Sequence, residues 1–326
     1  MAAALVEARK GAGATSPNPA VGAVLVRQNR IIARGYHRQA GAAHAEVDCL
    51  RKIEKIAMAT LYVTLEPCST RGRTKPCVDY IIGRGIRRIV IGANDPNPRH
   101  NGRGIDLLRE AGIEVQSGLL EAECGQLNEA YNKWIVTHEP FVIAKCAMSL
   151  DGRLTRPPGE QRWLSSPAAR AHSQRLRAQV DAILVGAETI RRDNPRLTAR
   201  SRAARKQPWR VILTRSGRLP RKAHVFSDRY RDRTLVYRHK TLRAVLRDLG
   251  KREILSVSIE GGGEILSEAL DQRLIDRFQI YITPLLTGGN VLAFGGKGAA
   301  STTEATRLAR ASYERIGDDV CVTGYA

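Results

Sequence analysis

The apolar positions of this chain fall into short blocks whose period switches repeatedly between two and three to four, the pattern of strands alternating with helices. Residues 20–26 (AVGAVLV) and 30–35 (RIIARG) read as two strands joined through the turn residues Gln28 and Asn29, a hairpin. Over residues 44–56, Val47, Leu50 and Ile53 recur at helical spacing, which places His44 and Glu46 in a first helical turn. Residues 60–65 (TLYVTL) and 87–95 (RRIVIGAND) predict buried strands separated by a helix at 77–83. A helix at 104–111 then leads to a strand at 113–115, and the opening MAAALVEARKGAGA predicts a short amphipathic helix. The order strand, strand, helix, strand, helix, strand, helix, strand predicts an α/β layered sandwich.

At residues 137–140 (THEP) the pattern resets. Residues 141–152 open a second block as a strand, and Ser166 with Pro167 offers an N-cap and first-turn proline for a helix running to Gln179. Further strands are predicted at 181–186, 209–214, 234–237, 254–263 and 277–284, with helices at 242–249 and 264–270. The second block is therefore also α/β. A chain of 326 residues exceeds the size, about 250 residues, at which single cores stop growing. Two domains are expected, at residues 1–139 and 140–326.

Composition narrows the class. Hydrophobic residues at 43% and charged residues at 26% describe a globular chain, without the long apolar run of a membrane span. The N-terminus has no apolar core of the length a signal peptide needs, so a cytoplasmic, membrane-free protein is expected. Six cysteines are too few for a disulfide scaffold. Cys49, Cys124, Cys146 and Cys321 read as small buried hydrophobes, leaving Cys68 and Cys77 as the pair with chemistry.

Net charge is +21, concentrated in residues 191–252, where 21 basic residues face 4 acidic ones. Such a block attracts polyanions: nucleic acid, a phosphorylated cofactor or a phosphorylated substrate. It lacks the regular interleaving of aromatics that stacks bases, so no specific nucleic-acid partner is expected.

A catalytic zinc ion keeps three protein ligands and an open position, and prefers histidine nitrogen and cysteine thiolate. His44, Cys68 and Cys77 supply that set, with both cysteines expected near helix starts where the dipole favours thiolate. A lone His-x-Glu is common on solvated helix starts. Pro67-Cys68 directly after a buried strand changes its meaning, because Glu46 then stands two residues from a ligand, positioned to shuttle a proton between an activated water and a departing amine. Eight residues, rather than two, separate Cys68 from Cys77, which argues against a cytidine or transfer-RNA adenosine deaminase.

The stretches TSPNPAVGAVLV, GYHRQAGAAHAEV, VTLEPCSTRGRTKPC and NDPNPRHNGRGIDLLREAGIEV resemble the deaminase half of the RibD family of bifunctional riboflavin-biosynthesis enzymes. AKCAMSLDGRL, LRAQVDAILVGAETI, DNPRLTAR, IEGGGEIL and YITPLLTGG resemble its reductase half. The resemblance implies a cytidine-deaminase-like α/β/α sandwich followed by a dihydrofolate-reductase-like α/β domain. It implies zinc-dependent deamination of a phosphoribosylamino diaminopyrimidinone, then reduction of the ribosyl chain by NADPH, in a homo-oligomer, dimer or tetramer. His44, Cys68 and Cys77 fall on the family's zinc ligands, Glu46 on its proton shuttle, and Asn18 on a position that helps hold the base. Ala147, Trp163, Thr189, Asp193, Gly262 and Gly263 fall on dinucleotide positions; Gln161, Arg177, Leu197, Arg200 and Glu260 fall on substrate positions. Arg177 and Arg200 can each pair bidentately with a phosphate. Lys145, Asp151 and Glu260 are candidate proton donors for the reduction.

The chain departs from the family pattern at Thr70 and Arg71, Gln161 and Arg162, Glu188, and Thr214 and Arg215. Those in the second block motivate an alternative, a working deaminase joined to a reductase domain that has lost catalysis.

Overall fold

The structure, a computed structural model, describes residues 1–54, 56–70, 75–154, 163–201 and 204–326. The chain divides into two compact units, Met1–His138 and Glu139–Ala326. Each is organised around one sheet.

In the first unit the elements are α1 (Ala2–Arg9), β1 (Gly22–Arg27), β2 (Arg30–Tyr36), α2 (Ala45–Leu50), β3 (Thr60–Leu65), α3 (Cys77–Gly83), β4 (Arg88–Ala93), α4 (Arg103–Glu110), β5 (Glu114–Gln116), α5 (Glu121–Leu127) and α6 (Glu129–Thr137). The sheet order is β2-β1-β3-β4-β5. β1 runs antiparallel to both β2 and β3, while β3, β4 and β5 are parallel. Gln28 and Asn29 both take positive φ, as a tight turn between right-twisted strands requires.

Alternation decides the faces. Ala23, Leu25, Leu61, Val63, Ile89 and Ile91 point to one side and bury against Cys49 and Leu50 of α2, Val78 and Ile81 of α3, and Ile105 and Leu108 of α4. On the other side α1 lies so close to β1 that a Cβ at Gly22 would sit 2.1 Å from the Ala4 carbonyl oxygen. The same unit thus has helices on both sheet faces, the sandwich that the alternation predicts.

The helix predicted at residues 44–56 stops at Leu50. Arg84 reaches back from the end of α3 and donates to the carbonyls of Leu50 and Ile53, taking acceptors that a continuing helix would have used. α5 and α6 carry no strong periodicity and were not expected. Tertiary contact selects them: Cys124 packs with Leu5, Leu65 and Ala93.

The second unit comprises β6 (Phe141–Ser149), α7 (Pro167–Gln179), β7 (Ala182–Gly186), α8 (Ala187–Asp193), β8 (Trp209–Thr214), α9 (His224–Ser227), β9 (Thr234–Arg238), α10 (Leu242–Lys251), β10 (Ser256–Ile259), α11 (Gly263–Asp271), β11 (Arg277–Thr283), β12 (Ala309–Ile316) and β13 (Asp319–Tyr325). The strand order is β12-β13-β11-β6-β10-β7-β8-β9, parallel from β11 through β9, with β12 and β13 antiparallel at one edge. Parallel strands buried on both faces read as continuous apolar runs, which is why Ala182–Gly186 was legible. Ser166 caps α7 as expected, its side chain accepting from Ala169 N at 3.2 Å, with Pro167 in the first turn. The strand predicted at 254–263 is confined to Ser256–Ile259, because Gly263 already begins α11. The edge strand β12 is exposed at every residue but Ile316, so no alternation marked it.

All four cysteines read as core residues are buried. The basic block is partly internal. Arg210 is 1% exposed and is held by Asp228, the Thr234 hydroxyl and the Val225 carbonyl. Lys206 pairs with Asp181, and Arg191 and Arg192 share Glu188. No helix among the described residues is long and apolar enough to cross a membrane.

Candidate functional site

The C-terminal end of β3 and the N-terminal ends of α2 and α3 converge in the first unit. His44 is the N-cap of α2, in extended conformation, which turns its ring off the helix axis. Its Nδ1 lies 3.2 Å from Cys77 Sγ and 3.6 Å from Cys68 Sγ. The three donor atoms lie within 4.8 Å of one another. One nitrogen and two sulfurs at this mutual separation match three corners of a zinc tetrahedron, whose metal–ligand bonds are about 2.0–2.3 Å.

One expectation is corrected here. Only Cys77 begins a helix; Cys68 sits in the loop after β3. The dipole still serves both, since the first-turn N–H of Cys77 donates to Cys68 Sγ at 3.3 Å. The Cys68 thiol is drawn well below its ordinary pKa, first by hydrogen bonding from Cys77 and further by His44. The His44 pKa is raised, chiefly by its bond to Cys68.

Glu46 is 3% exposed. Burial, the largest influence, pushes its carboxyl up to about 7 against the opposing pull of His44. A carboxyl in that range can both accept and return a proton near neutrality.

Two supports were not singled out from the sequence. His37, 2% exposed, stacks edge-on against His44 with ring centroids 5.2 Å apart. Burial lowers its pKa, so the neutral ring donates through Nδ1 to the Ala43 carbonyl at 3.1 Å and accepts at Nε2 from the Asn18 amide at 3.1 Å. Asn18 is therefore tied into the wall beside His44. Glu66, also 3% exposed, accepts from the N–H groups of Asp95, Gly102 and Gly104 and so holds the start of α4 against the loop of Cys68. Its signal was the buried acid within the LEP stretch. Beyond Cys68, His100 contacts Ser69 and Thr70, while Arg71 lies outside the described residues.

The second unit contains a cavity of about 1260 Å³ at the C-terminal ends of its parallel strands. In open parallel sheets this is where ligands bind. Ala147, Trp163, Thr189, Asp193, Gly262, Gly263, Arg177, Arg200 and Glu260 all line it. Leu197 does not. It lines an adjoining hollow of about 160 Å³, shared with Trp163, Arg177 and Arg200. Gln161 and Arg162 lie outside the described residues.

The glycine turn divides its labour. A Cβ at Gly262 would meet nothing closer than Thr189 Oγ1 at 3.9 Å, so this backbone stands open to the cavity. A Cβ at Gly263 would fall 2.0 Å from the Leu292 carbonyl oxygen; that glycine is required by the chain packed over α11. A cavity of this size with an open glycine backbone at the start of α11 suits a dinucleotide phosphate.

Arg177 differs from expectation. Its Nε and Nη2 are engaged by Glu260 at 2.9 and 2.6 Å, and Nη1 lies 3.4 Å from the Thr198 carbonyl. The fork expected to grip a phosphate is already filled by a buried carboxylate, which could not stay ionised without it. Among the candidate proton donors, Asp151 is removed from the cavity: it accepts from Ser149 Oγ and from the N–H groups of Thr287 and Gly288. Lys145 does line the cavity, and among the described residues no hydrogen bond reaches its Nζ. Burial lowers its pKa and Glu260 opposes that shift. Thr214 is buried and accepts from Gly217 N–H, whereas Arg215 is exposed at the cavity rim.

Fold and sites together define a two-unit enzyme, a zinc hydrolase of the cytidine-deaminase kind followed by a dinucleotide reductase. Residues 1–93 match the cytidine and deoxycytidylate deaminase zinc-binding region, and residues 140–322 match the RibD C-terminal domain. The chain is 38% identical to riboflavin biosynthesis protein RibD of Actinobacillus pleuropneumoniae, over 98% of this chain and 93% of that one. It is 37% identical to RibD of Aquifex aeolicus, covering 99% and 96%. Among solved structures, the Thermotoga maritima diaminohydroxyphosphoribosylaminopyrimidine deaminase/5-amino-6-(5-phosphoribosylamino)uracil reductase superposes with a TM-score of 0.91 at 35% identity, covering 100% and 97%. Acinetobacter baumannii RibD superposes at 0.89 with 33% identity, covering 99% and 97%. The chain belongs to the RibD family, bifunctional enzymes of riboflavin biosynthesis that join a deaminase to a reductase, with zinc and NADPH as cofactors.

Proposed function

We propose that this chain carries out both steps, hydrolytic deamination of 2,5-diamino-6-(5-phosphoribosylamino)pyrimidin-4(3H)-one and then reduction of the ribosyl side chain of the resulting aminouracil to ribityl. The observation that carries this reading is the convergence of His44, Cys68 and Cys77 beside buried Glu46. Bound zinc supplies Lewis-acid activation of the attacking water, and bound NADPH supplies the hydride.

In the first unit His44, Cys68 and Cys77 hold the metal. Glu46 takes the proton released as water oxygen adds to C2 of the pyrimidine, and returns it to the departing amine, which leaves as ammonia. Asn18 and His37 shape the wall against which the base lies. In the second unit Ala147, Trp163, Thr189, Asp193, Gly262 and Gly263 receive the dinucleotide. Arg200 and Leu197 face the substrate, and Arg177 contributes by holding Glu260 in place.

The ribosylamine opens to an imine, and reduction places hydride on C1′ and a proton on nitrogen. Glu260, ionised and forked by Arg177, has no proton to give, so Lys145 is the donor. Its ammonium has N–H groups unspent on protein acceptors among the described residues. Glu260 then orients the substrate and balances the charge of Lys145.

The test follows ammonia release and NADPH oxidation separately on the purified protein, with metal content measured on the same sample. Both signals, with chelation stopping ammonia release from the diaminopyrimidinone but not NADPH oxidation on supplied aminouracil, support the reading. Ammonia release alone, with no NADPH oxidation on supplied aminouracil, overturns the second step. Dimer or tetramer formation belongs to the same reading and is measured by light scattering.

A further inference from the structure

Lys145 lies over a tyrosine ring, its Nζ 5.6 Å from the centroid of Tyr281. The sheet produces this meeting. β6 and β11 run parallel with Gln279 opposite Lys145 and Tyr281 opposite Ala147, so Tyr281 is the diagonal neighbour of Lys145 on one face. Tyr281 is 1% exposed yet its ring forms part of the cavity wall.

The ring is also anchored at its hydroxyl. Its hydroxyl accepts from Gln279 Nε2 at 2.6 Å and lies 2.8 Å from Nδ1 of His172 on α7. Burial lowers the His172 pKa, so a neutral ring accepts the phenol proton at Nδ1 while Nε2 faces Glu314 at 3.9 Å. These two contacts fix the position of the hydroxyl and so seat the ring beside the lysine.

The groups that face Lys145 are few. Glu260 beyond β10 attracts it, Arg177 on α7 repels it, and the thiols Cys146 on β6 and Cys321 on β13 lie nearby. Glu260 is held in its fork with Arg177 and attracts Lys145 through space, without accepting a hydrogen bond from Nζ. With no hydrogen-bond acceptor on Nζ among the described residues, the face of Tyr281 is the contact that gives the ammonium a direction.

We propose that Tyr281 is a positioning residue for the reduction, its ring face holding the Lys145 ammonium toward the cavity while Gln279 and His172 anchor its hydroxyl. The proposal rests on the reading of Lys145 as proton donor. Tyr281 acts through Lys145.

The test reads Lys145 directly, apart from catalysis. The full chain is labelled with acetic anhydride in competition with a reference amine across a pH series, and the Lys145 peptide is quantified by mass spectrometry. Tyr281→Leu removes the aromatic face and should move the labelling midpoint down by about half a unit to one unit, because the charged form loses its partner. Tyr281→Phe keeps the face and should move it less. In reduction assays kcat should fall for the leucine variant and be partly restored by phenylalanine, with KM for NADPH unchanged in both. An unmoved midpoint in Tyr281→Leu, with NADPH still bound, overturns the proposal. Full reduction by Lys145→Met would instead sink the proton-donor reading, and the labelling result would still decide whether Tyr281 governs the lysine.

Discussion

Arg177 and Glu260 face each other as a fork and a carboxylate inside the reductase cavity, with Nη2 2.6 Å from Oε2 and side-chain exposures of only 16% and 5%. Burial opposes ionisation of Glu260, but Arg177 and then Lys145 outweigh it and hold the carboxyl below its ordinary range. A folded-state pKa below the unfolded one adds stability at pH above the unfolded value, about 4.3, and that contribution is lost as pH falls through the lower folded value. Arg177→Met leaves the carboxylate buried without its partner, at a cost of about 3–5 kcal/mol at pH 7. Urea unfolding at pH 7, 5 and 4 should show this deficit narrowing with acid, as Glu260 in the variant takes up a proton. A deficit constant with pH would mean that Arg177 contributes packing rather than charge.

Glu46→Gln keeps the shape of the α2 start while removing the titrating group. Zinc content should match the parent, ammonia release should fall at least about a hundredfold, and reduction of supplied aminouracil should persist. Substantial ammonia release by this variant would take the proton shuttle away from Glu46.

Metal removal separates the units. Chelation should abolish deamination and leave NADPH oxidation on the aminouracil intact, because the only His/Cys cluster of metal-binding geometry among the described residues is His44, Cys68 and Cys77. Cys68→Ser and Cys77→Ser should each reproduce the chelated state without added chelator, read as zinc per chain by elemental analysis. Full zinc content in either variant would contradict the ligand set.

Gly35 on β2 tests how the site is held. A Cβ there would lie 2.3 Å from Cys49 N and 2.5 Å from the Ala45 carbonyl oxygen, both backbone atoms of the helix that His44 caps. Gly35→Ala must therefore push α2 off the sheet, costing about 1–3 kcal/mol. Zinc affinity and deamination should both drop, while NADPH binding stays at the parent level. Unaltered zinc affinity would show that the Cys68 loop and α3 suffice to place the metal.

Gly263→Ala is the counterpart in the second unit, since the added methyl would meet the Leu292 carbonyl. NADPH affinity should weaken as the chain over α11 shifts. Thermal unfolding in the presence and absence of NADPH should show a smaller ligand-induced rise than in the parent.

The sequence by itself determined the parts whose cause is local. Alternating and continuous apolar runs marked β1, β3, β7 and β8 to within a residue or two, since strand burial follows side-chain direction along one segment. Ser166-Pro167 marked the start of α7, and the residue types at 44, 68 and 77 marked a cluster whose donor atoms the fold brings within metal-binding distance. Tertiary structure decided what depends on distant segments meeting. Arg84 ended α2 early by taking its carbonyls, and packing of Cys124 called up α5. Pairing with β13 made a strand of the exposed β12. The same holds in the sites. His37 and Glu66 became supports only when their loops closed on α2 and α4, and Arg177 lost its fork to a glutamate 83 positions away. Hydrogen bonds and ion pairs act over a few ångströms of space whatever their separation along the chain, so no local pattern could carry them.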